Sequence, residues 1–196
     1  TEAPAELTFY LPDLKAFDGA EVVSHTMHNL YTLRGAKVRD ALKWSNAIQQ
    51  AIDLFGQADV LLASHHWPVW GNSEVLAFLK RQRDLYKFIH DQTLRLAGQG
   101  MTPNEIAEAL ELPPSLAPHF GNRGYYGTLK HNSKAVYQWY FGWYDGNPAH
   151  LLPAPEADVA RALAAVSGGA ATLAARAERE AAEGRLDVAA HLVEFA

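Results

Sequence analysis

The stretch "SEVLAFLKRQRDLYKFIHDQTLRLAGQG", residues 73–100, does most to limit what this chain can fold into. It reads as one long amphipathic helix. Leu76, Leu79, Leu85, Ile89, Thr93 and Leu96 fall on or near one stripe, Ser73 stands as its cap, and Glu74 sits in the first turn. The residues before it follow another period. "ELTFYLP" alternates and is aromatic-rich, so it reads as a strand. Asp18-Gly19 marks a turn, followed by a second short strand leading to Ser24. From Asp40 to Phe55, Leu42, Ala47, Ile48, Ala51, Ile52 and Phe55 share one helical face, and Gly56 follows as a stop. The apolar run Val60 to Ala63 is a buried strand that ends on "SHHWP". Strand, strand, helix, strand suits a layered α/β domain, but with too few strands to close a sheet core.

After the long helix the chain stays helical. "MTPNEIAEALEL" carries Thr102 as cap, Pro103 at the first position and Glu105 three residues after the cap. It resembles a helix of helix-turn-helix proteins, yet the net charge of -5, the pI near 6.0 and the lack of a basic face set nucleic acid aside. A third helix lies in "HNSKAVYQWYFGWYDGNP", ended by Gly146 and Pro148. From Pro155 the chain is alanine-rich and helical, broken at Ser167-Gly168-Gly169 and at Gly184, and its last two pieces form one hairpin with tetratricopeptide-like spacing. The expected fold class is α/β into all-α, with residues 1–75 as the α/β part and 76–196 as the helical part. No run approaches the roughly 18 apolar residues of a membrane span.

The chemistry is bounded by the absence of cysteine, which leaves His, Asp and Glu as strong metal ligands. The candidates cluster before residue 75: Glu2, Glu6, Glu21, His25, His28, Arg34, His65 and His66. Glu2 and Glu21 each sit near the end of an expected strand, and two histidines close another. Each has an ordinary alternative, because a strand-end glutamate is usually solvated and a lone histidine is usually not a ligand. "HTMHNLYTLRGAKVRD" places Asn29 and Arg34 around "LYTL"; an arginine fork suits a sulfate or phosphate oxyanion, or equally a surface salt bridge. "GYYGTLKHNSKAVY" has Gly124 and Gly127 around two tyrosines and His131 opening a helix, which fits a packed capping loop as well as a catalytic one.

Together "TEAPAE", "MHNLYTLRGAKVRD", "ASHHWPVWG" and "GYYGTLKHNSKAVYQWYFGWYDGNPAHL" resemble the zinc-dependent alkylsulfatases of the metallo-β-lactamase superfamily. The resemblance runs through nearly the whole chain and is weakest after Pro155. It implies the tail of a metallo-β-lactamase αββα sandwich followed by a helical dimerisation domain. It also implies hydrolysis of alkyl sulfate esters such as dodecyl sulfate at a pair of zinc ions, with a homodimer as the assembly. Carried over residue by residue, Glu2 and Glu21 match the two ligand glutamates, Glu21 as the bridging one. His65 matches the final ligand histidine, with His66 as runner-up. Asn29, Leu30, Tyr31, Thr32, Leu33 and Arg34 match the sulfate-binding segment, and His131 is the candidate donor of a proton to the leaving oxygen. Tyr125, Tyr126, Trp139, Trp143 and Tyr144 line an alkyl channel or belong to the core.

In one respect the chain departs from the family. It contains no His-x-His-x-Asp-His motif, so four of seven expected ligands are missing, and the abrupt start favours a fragment of a longer protein or ligands supplied by another chain. The isolated chain is therefore expected to bind zinc weakly and to be inactive. Two rival readings stand beside this one: a non-catalytic helical dimerisation module, and a hydrolase of the same fold acting on a lactone, thioester or phosphoester. Periplasmic, secreted and cytoplasmic placement all suit the resemblance.

Overall fold

The computed structural model describes residues 2–196, which divide into two compact units, Thr1–Asp145 and Gly146–Ala196. In the first unit, β1 (Phe9–Leu11) turns through a short 3-10 segment, with Lys15 in the left-handed region, into β2 (Ala16–Asp18). The pair is antiparallel, Tyr10 opposite Phe17. α1 (Ala41–Phe55) starts at Asp40, whose carboxylate accepts the Lys43 N–H at 2.9 Å. β3 (Val60–Leu62) then lies parallel to β2, Asp18 opposite Leu62, and β4 (Val69–Trp70) returns antiparallel to β3. The sheet order is β1-β2-β3-β4.

Two local expectations change. The strand expected after Asp18-Gly19 lies before it, because the Gly19 N–H donates to Leu62 O at 2.9 Å and the Val22 N–H closes a turn on Gly19 O at 3.1 Å. A Cβ on Gly19 would stand 2.1 Å from a Val23 methyl, so this tight turn needs glycine. The long helix α2 (Asn72–Ala97) is not capped by Ser73; Gly71 precedes it, and Asn72 anchors it by donating to Gly56 O at 2.7 Å and Ala58 O at 2.9 Å.

The core is built where α1 lies on α2. Trp44 is fully buried, stacks on Tyr86 at 4.9 Å between ring centroids, and donates its indole N–H to Val22 O at 2.7 Å. Ile48, Leu79, Leu85 and Ile89 join the same cluster as Phe17 and Leu61 of the sheet. Each such side chain gains about 1.5–3 kcal/mol from leaving water. The apolar stripe of α2 is thus spent inside the unit. Val75, Leu79, Leu85, Tyr86 and Ile89 of α2 share one core with the sheet, and both lie in the unit that ends at Asp145.

α3 (Pro103–Ala109) opens with the expected capping box, Thr102 and Glu105 bonding each other's backbone. α4 (Leu129–Phe141) begins at Thr128, whose hydroxyl accepts the His131 N–H at 3.1 Å, and ends at Gly142, earlier than the Gly146–Pro148 signal suggested. The second unit holds α5 (Pro148–Leu151), α6 (Glu156–Ser167), α7 (Ala170–Ala182) and α8 (Leu186–Glu194). Gly168, Gly169 and Gly184, all at positive φ, separate them at the expected breaks. α7 and α8 pack as a hairpin around Leu173, Ala177 and Ala189. Among the described residues no helix is long and apolar enough to cross a membrane.

Candidate functional site

β2 and β3 are parallel and end level with each other, Asp18 opposite Leu62. The segments that follow leave the sheet on the same side, the place where open α/β sheets put their ligands. Glu21 stands three residues beyond Asp18 and His65 three beyond Leu62. The Ser64 N–H donates to Ala20 O at 3.0 Å and ties the two segments together. His65 Nε2 then meets Glu21 Oε1 at 2.6 Å. His65 has φ +76°, a left-handed backbone that costs a non-glycine residue about 1–2 kcal/mol.

The other Glu21 oxygen, Oε2, faces His28 Nε2 at 3.2 Å. His28 Nδ1 lies 2.8 Å from Asn29 O, and a carbonyl only accepts, so Nδ1 carries the proton. Burial, first of all, pushes the His28 pKa down, while Glu21 acts to raise it. Glu2 completes the arrangement: Glu2, Glu21 and His28 each offer one ligand atom, all within 4.8 Å of one another. Burial alone would raise the Glu21 carboxyl, but the His65 hydrogen bond and the two imidazoles hold it below its ordinary value. Two carboxylates and two imidazoles without sulfur suit zinc.

His28, a candidate in the sequence but not among the ligands carried over from the resemblance, is in this group. His25 is not. Its backbone N–H donates to His66 Nε2, and its ring stacks on the His66 ring at 3.7 Å and meets Phe78 edge-on. His66 Nδ1 lies 3.2 Å from Trp67 O, so both His66 nitrogens are engaged and it is His65 that reaches Glu21. Glu6 is a support, accepting the Glu2 N–H at 3.0 Å.

Sequence reasoning passed over Arg39. Buried, it donates from Nε to Glu2 O at 2.8 Å and from Nη2 to the Glu2 carboxylate; Nη1 reaches Asn29 Oδ1 at 2.5 Å and Asn29 O at 3.1 Å. An arginine just before a helix cap has no distinguishing local signal. Within the segment from Asn29 to Arg34 the roles divide. Leu30 is core, Thr32 is buried, Tyr31 is half-buried and Leu33 lies open to solvent. The Tyr126 hydroxyl pKa is lowered chiefly by Arg34 and then by Asn29. The Tyr126 ring stands edge-on to His28 at 4.7 Å. Tyr126 therefore belongs to the polar cluster. Glu2, Glu21, His28, Arg34, His65 and Tyr126 all line one cavity of about 650 Å³. His131 lines a neighbouring cavity of about 460 Å³ with Asn29, Arg34 and Tyr126, and its Nε2 donates to Tyr31 O at 2.6 Å. Trp139 and Trp143 are exposed on and just beyond the end of α4.

Residues 102–196 match the family model described as alkyl sulfatase dimerisation. Over 194 residues, 98% of this chain, the sequence is 50% identical to the alkyl/aryl-sulfatase BDS1 of Saccharomyces cerevisiae, of which it covers 30%. It is 52% identical over 171 residues, 87% of this chain, to a linear primary-alkylsulfatase of Pseudomonas sp., of which it covers 25%. The chain thus spans less than a third of the length of these curated relatives. The structure is similar to that of the stereoselective inverting sec-alkylsulfatase Pisa1 from Pseudomonas sp., with TM-score 0.92 and 39% identity over 98% of this chain and 31% of that one.

Proposed function

We propose that this chain, similar in sequence and structure to alkylsulfatases, contributes part of the active site of an enzyme that hydrolyses alkyl sulfate esters to alcohol and sulfate. One observation carries the reading: the carboxylate–imidazole cluster and the Arg34–Tyr126 pair share a single cavity. The first suits a metal, the second an oxyanion.

The sheet with α1 and α2 would be the closing part of an αββα sandwich of the metallo-β-lactamase type. Glu2, Glu21 and His65 would hold zinc, with His28 the second imidazole on Glu21 and the remaining ligands of a dinuclear site coming from outside these residues. Zinc bound there would polarise a sulfate oxygen and bring the pKa of a water near 7. The steps left to this chain are binding and orientation. Asn29 and Arg34 take sulfate oxygens, the arginine presenting a two-pronged donor. Tyr126 ties the two together. Arg39 holds Asn29 and Glu2 in mutual register. His131 has committed its Nε2 proton to Tyr31 O, so a proton for the leaving oxygen would have to come from Nδ1. The alkyl chain would lie in the adjoining cavity of about 670 Å³, where Trp67, Phe120 and Tyr125 supply apolar surface. A homodimer is the assembly suggested by the family description of residues 102–196, with Trp139, Tyr140, Phe141 and Trp143 the exposed aromatics that a partner would cover.

The test uses the full-length enzyme on dodecyl sulfate. Glu21→Gln should lower activity by more than about 100-fold, beyond the usual effect of losing a group that only supports a ligand, and should reduce bound zinc. Arg34→Lys should weaken turnover while leaving the melting temperature unchanged. Full activity in both variants would remove the cluster from the chemistry.

A further inference from the structure

The first turn of α4, with Gly127 just before its cap, grips the loop from Met27 to Tyr31 at four backbone points. The Gly127 N–H donates to Met27 O at 2.8 Å. Asn132 Nδ2 donates to His28 O at 2.9 Å, and Asn132 Oδ1 accepts the Leu30 N–H at 2.9 Å. His131 Nε2 donates to Tyr31 O at 2.6 Å. These contacts join residues about a hundred positions apart, and Asn132 is fully buried.

We infer that Asn132 is a positioning residue for oxyanion binding: its single amide group, bonded on both sides of Asn29, fixes the backbone that aims the Asn29 side chain. The inference rests on the proposed alkylsulfatase reading. Asn132 plays the part a neighbouring β-strand would play, offering one donor and one acceptor to peptide groups flanking a residue. The Asn29 side chain can then meet Arg39 and Tyr126. Only a primary amide supplies both functions in one plane. Aspartate has the same outline but would set an acceptor against His28 O. Glutamine is a methylene longer, in a place with no slack: a Cβ on Gly127 would lie 2.6 Å from the carbonyl carbon and oxygen of His28 and 2.7 Å from Asn29 N. Gly127 is thus the second component of the same device, needed for close approach rather than for an unusual φ. The residues described by the family model as a dimerisation region would then have a second task, holding the oxyanion loop from behind.

The experiment compares Asn132→Asp and Gly127→Ala with wild type and with Lys130→Ala, an exposed neighbour on the same turn that pairs with Glu108. All are made in the full-length enzyme. The readouts are kcat and KM on dodecyl sulfate, inhibition by inorganic sulfate, melting temperature, and amide hydrogen exchange across residues 27–34. Both brace variants should raise KM and the sulfate inhibition constant together by about tenfold or more, as loss of a supporting partner does. Their kcat should change by less than about threefold, the pattern of lost uniform binding. Exchange in 27–34 should accelerate, and Lys130→Ala should match wild type. If Asn132→Asp does not fold, Gly127→Ala displaces the same loop and decides the matter. A lower melting temperature with KM and exchange unchanged would reduce Asn132 to a packing residue and overturn the inference. So would a fall in kcat and zinc content with KM intact, which would move the brace to the metal side. A wild-type enzyme inert towards alkyl sulfates would sink the activity reading alone. The brace would then be judged on sulfate binding by calorimetry and on exchange, and unchanged values in both variants would overturn it.

Discussion

The two compact units are stabilised in different ways. The first sinks Trp44, Tyr86, Phe17 and Met27 into one cluster and surrounds it with buried polar side chains, Asn132, Gln82, Asn122 and Arg39 among them. In the second, the buried residues among those described are Leu173, Ala177, Glu180 and Ala189, while Leu152, Val166, Leu186 and Val193 stay exposed. Glu180 is held by Arg176 and Arg185. The first unit can therefore bear the cost of a strained histidine and a nest of buried amides, because large aromatic burial offsets it. The second has no such reserve. Its alanines allow close helix approach, and its exposed leucines and valines leave apolar surface for a partner to cover.

The sharpest way to break this contrast is Trp44→Ala. The substitution should cost about 3–5 kcal/mol through the cavity left beside Tyr86, read by urea unfolding of the full-length protein. A cost under half that would mean the aromatic cluster is not what carries the first unit. Next comes Ala177→Leu between α7 and α8. Extra volume where an alanine is buried should cost about 1–3 kcal/mol, with no change in KM, as the candidate site lies entirely in the first unit. The smallest effect concerns acid. His25, pushed down to about 4 by burial and then by His66, stays neutral in the fold where the unfolded chain takes up a proton below its ordinary 6.5. Stability should therefore fall as pH drops from 6.5 towards 4, and the slope should end below that. His25→Phe, keeping a ring against His66 and Phe78, should flatten the difference between melting temperatures at pH 7.5 and pH 5. An unaltered difference would assign the acid sensitivity to other groups.

What could be read from the sequence follows the range of the interaction. The cap at Thr102, and the breaks at Gly168-Gly169 and Gly184, were legible because each is settled within a few residues. Glu21 and His65 were nameable because strand ends and a family likeness marked them, though nothing in the sequence measures the distance between them. The grip of Asn132 on His28 and Leu30, and of Arg39 on Glu2 and Asn29, had no local sign. An asparagine in the first turn of a helix and an arginine before a helix cap are ordinary. Their meaning lies in the backbone they meet, which is set only once α1, α2 and α4 have packed. The Ser24-to-His28 region misled for a related reason: histidine spacing along the chain said nothing of His28 folding back towards Glu21 while His25 turned to His66.

Arg39 has a consequence for how such a site can change. One guanidinium spans the Glu2 carboxylate, proposed above to hold metal, and the Asn29 amide, proposed to take the oxyanion. A substitution at Glu2 that favoured another cation would free or drag that guanidinium, and Asn29 would feel it; a change at Asn29 would be felt at Glu2. On that proposal, metal preference and anion preference would be a single inherited trait rather than two. A lineage moving towards a new ester would have to alter both together or first replace the arginine that binds them to each other.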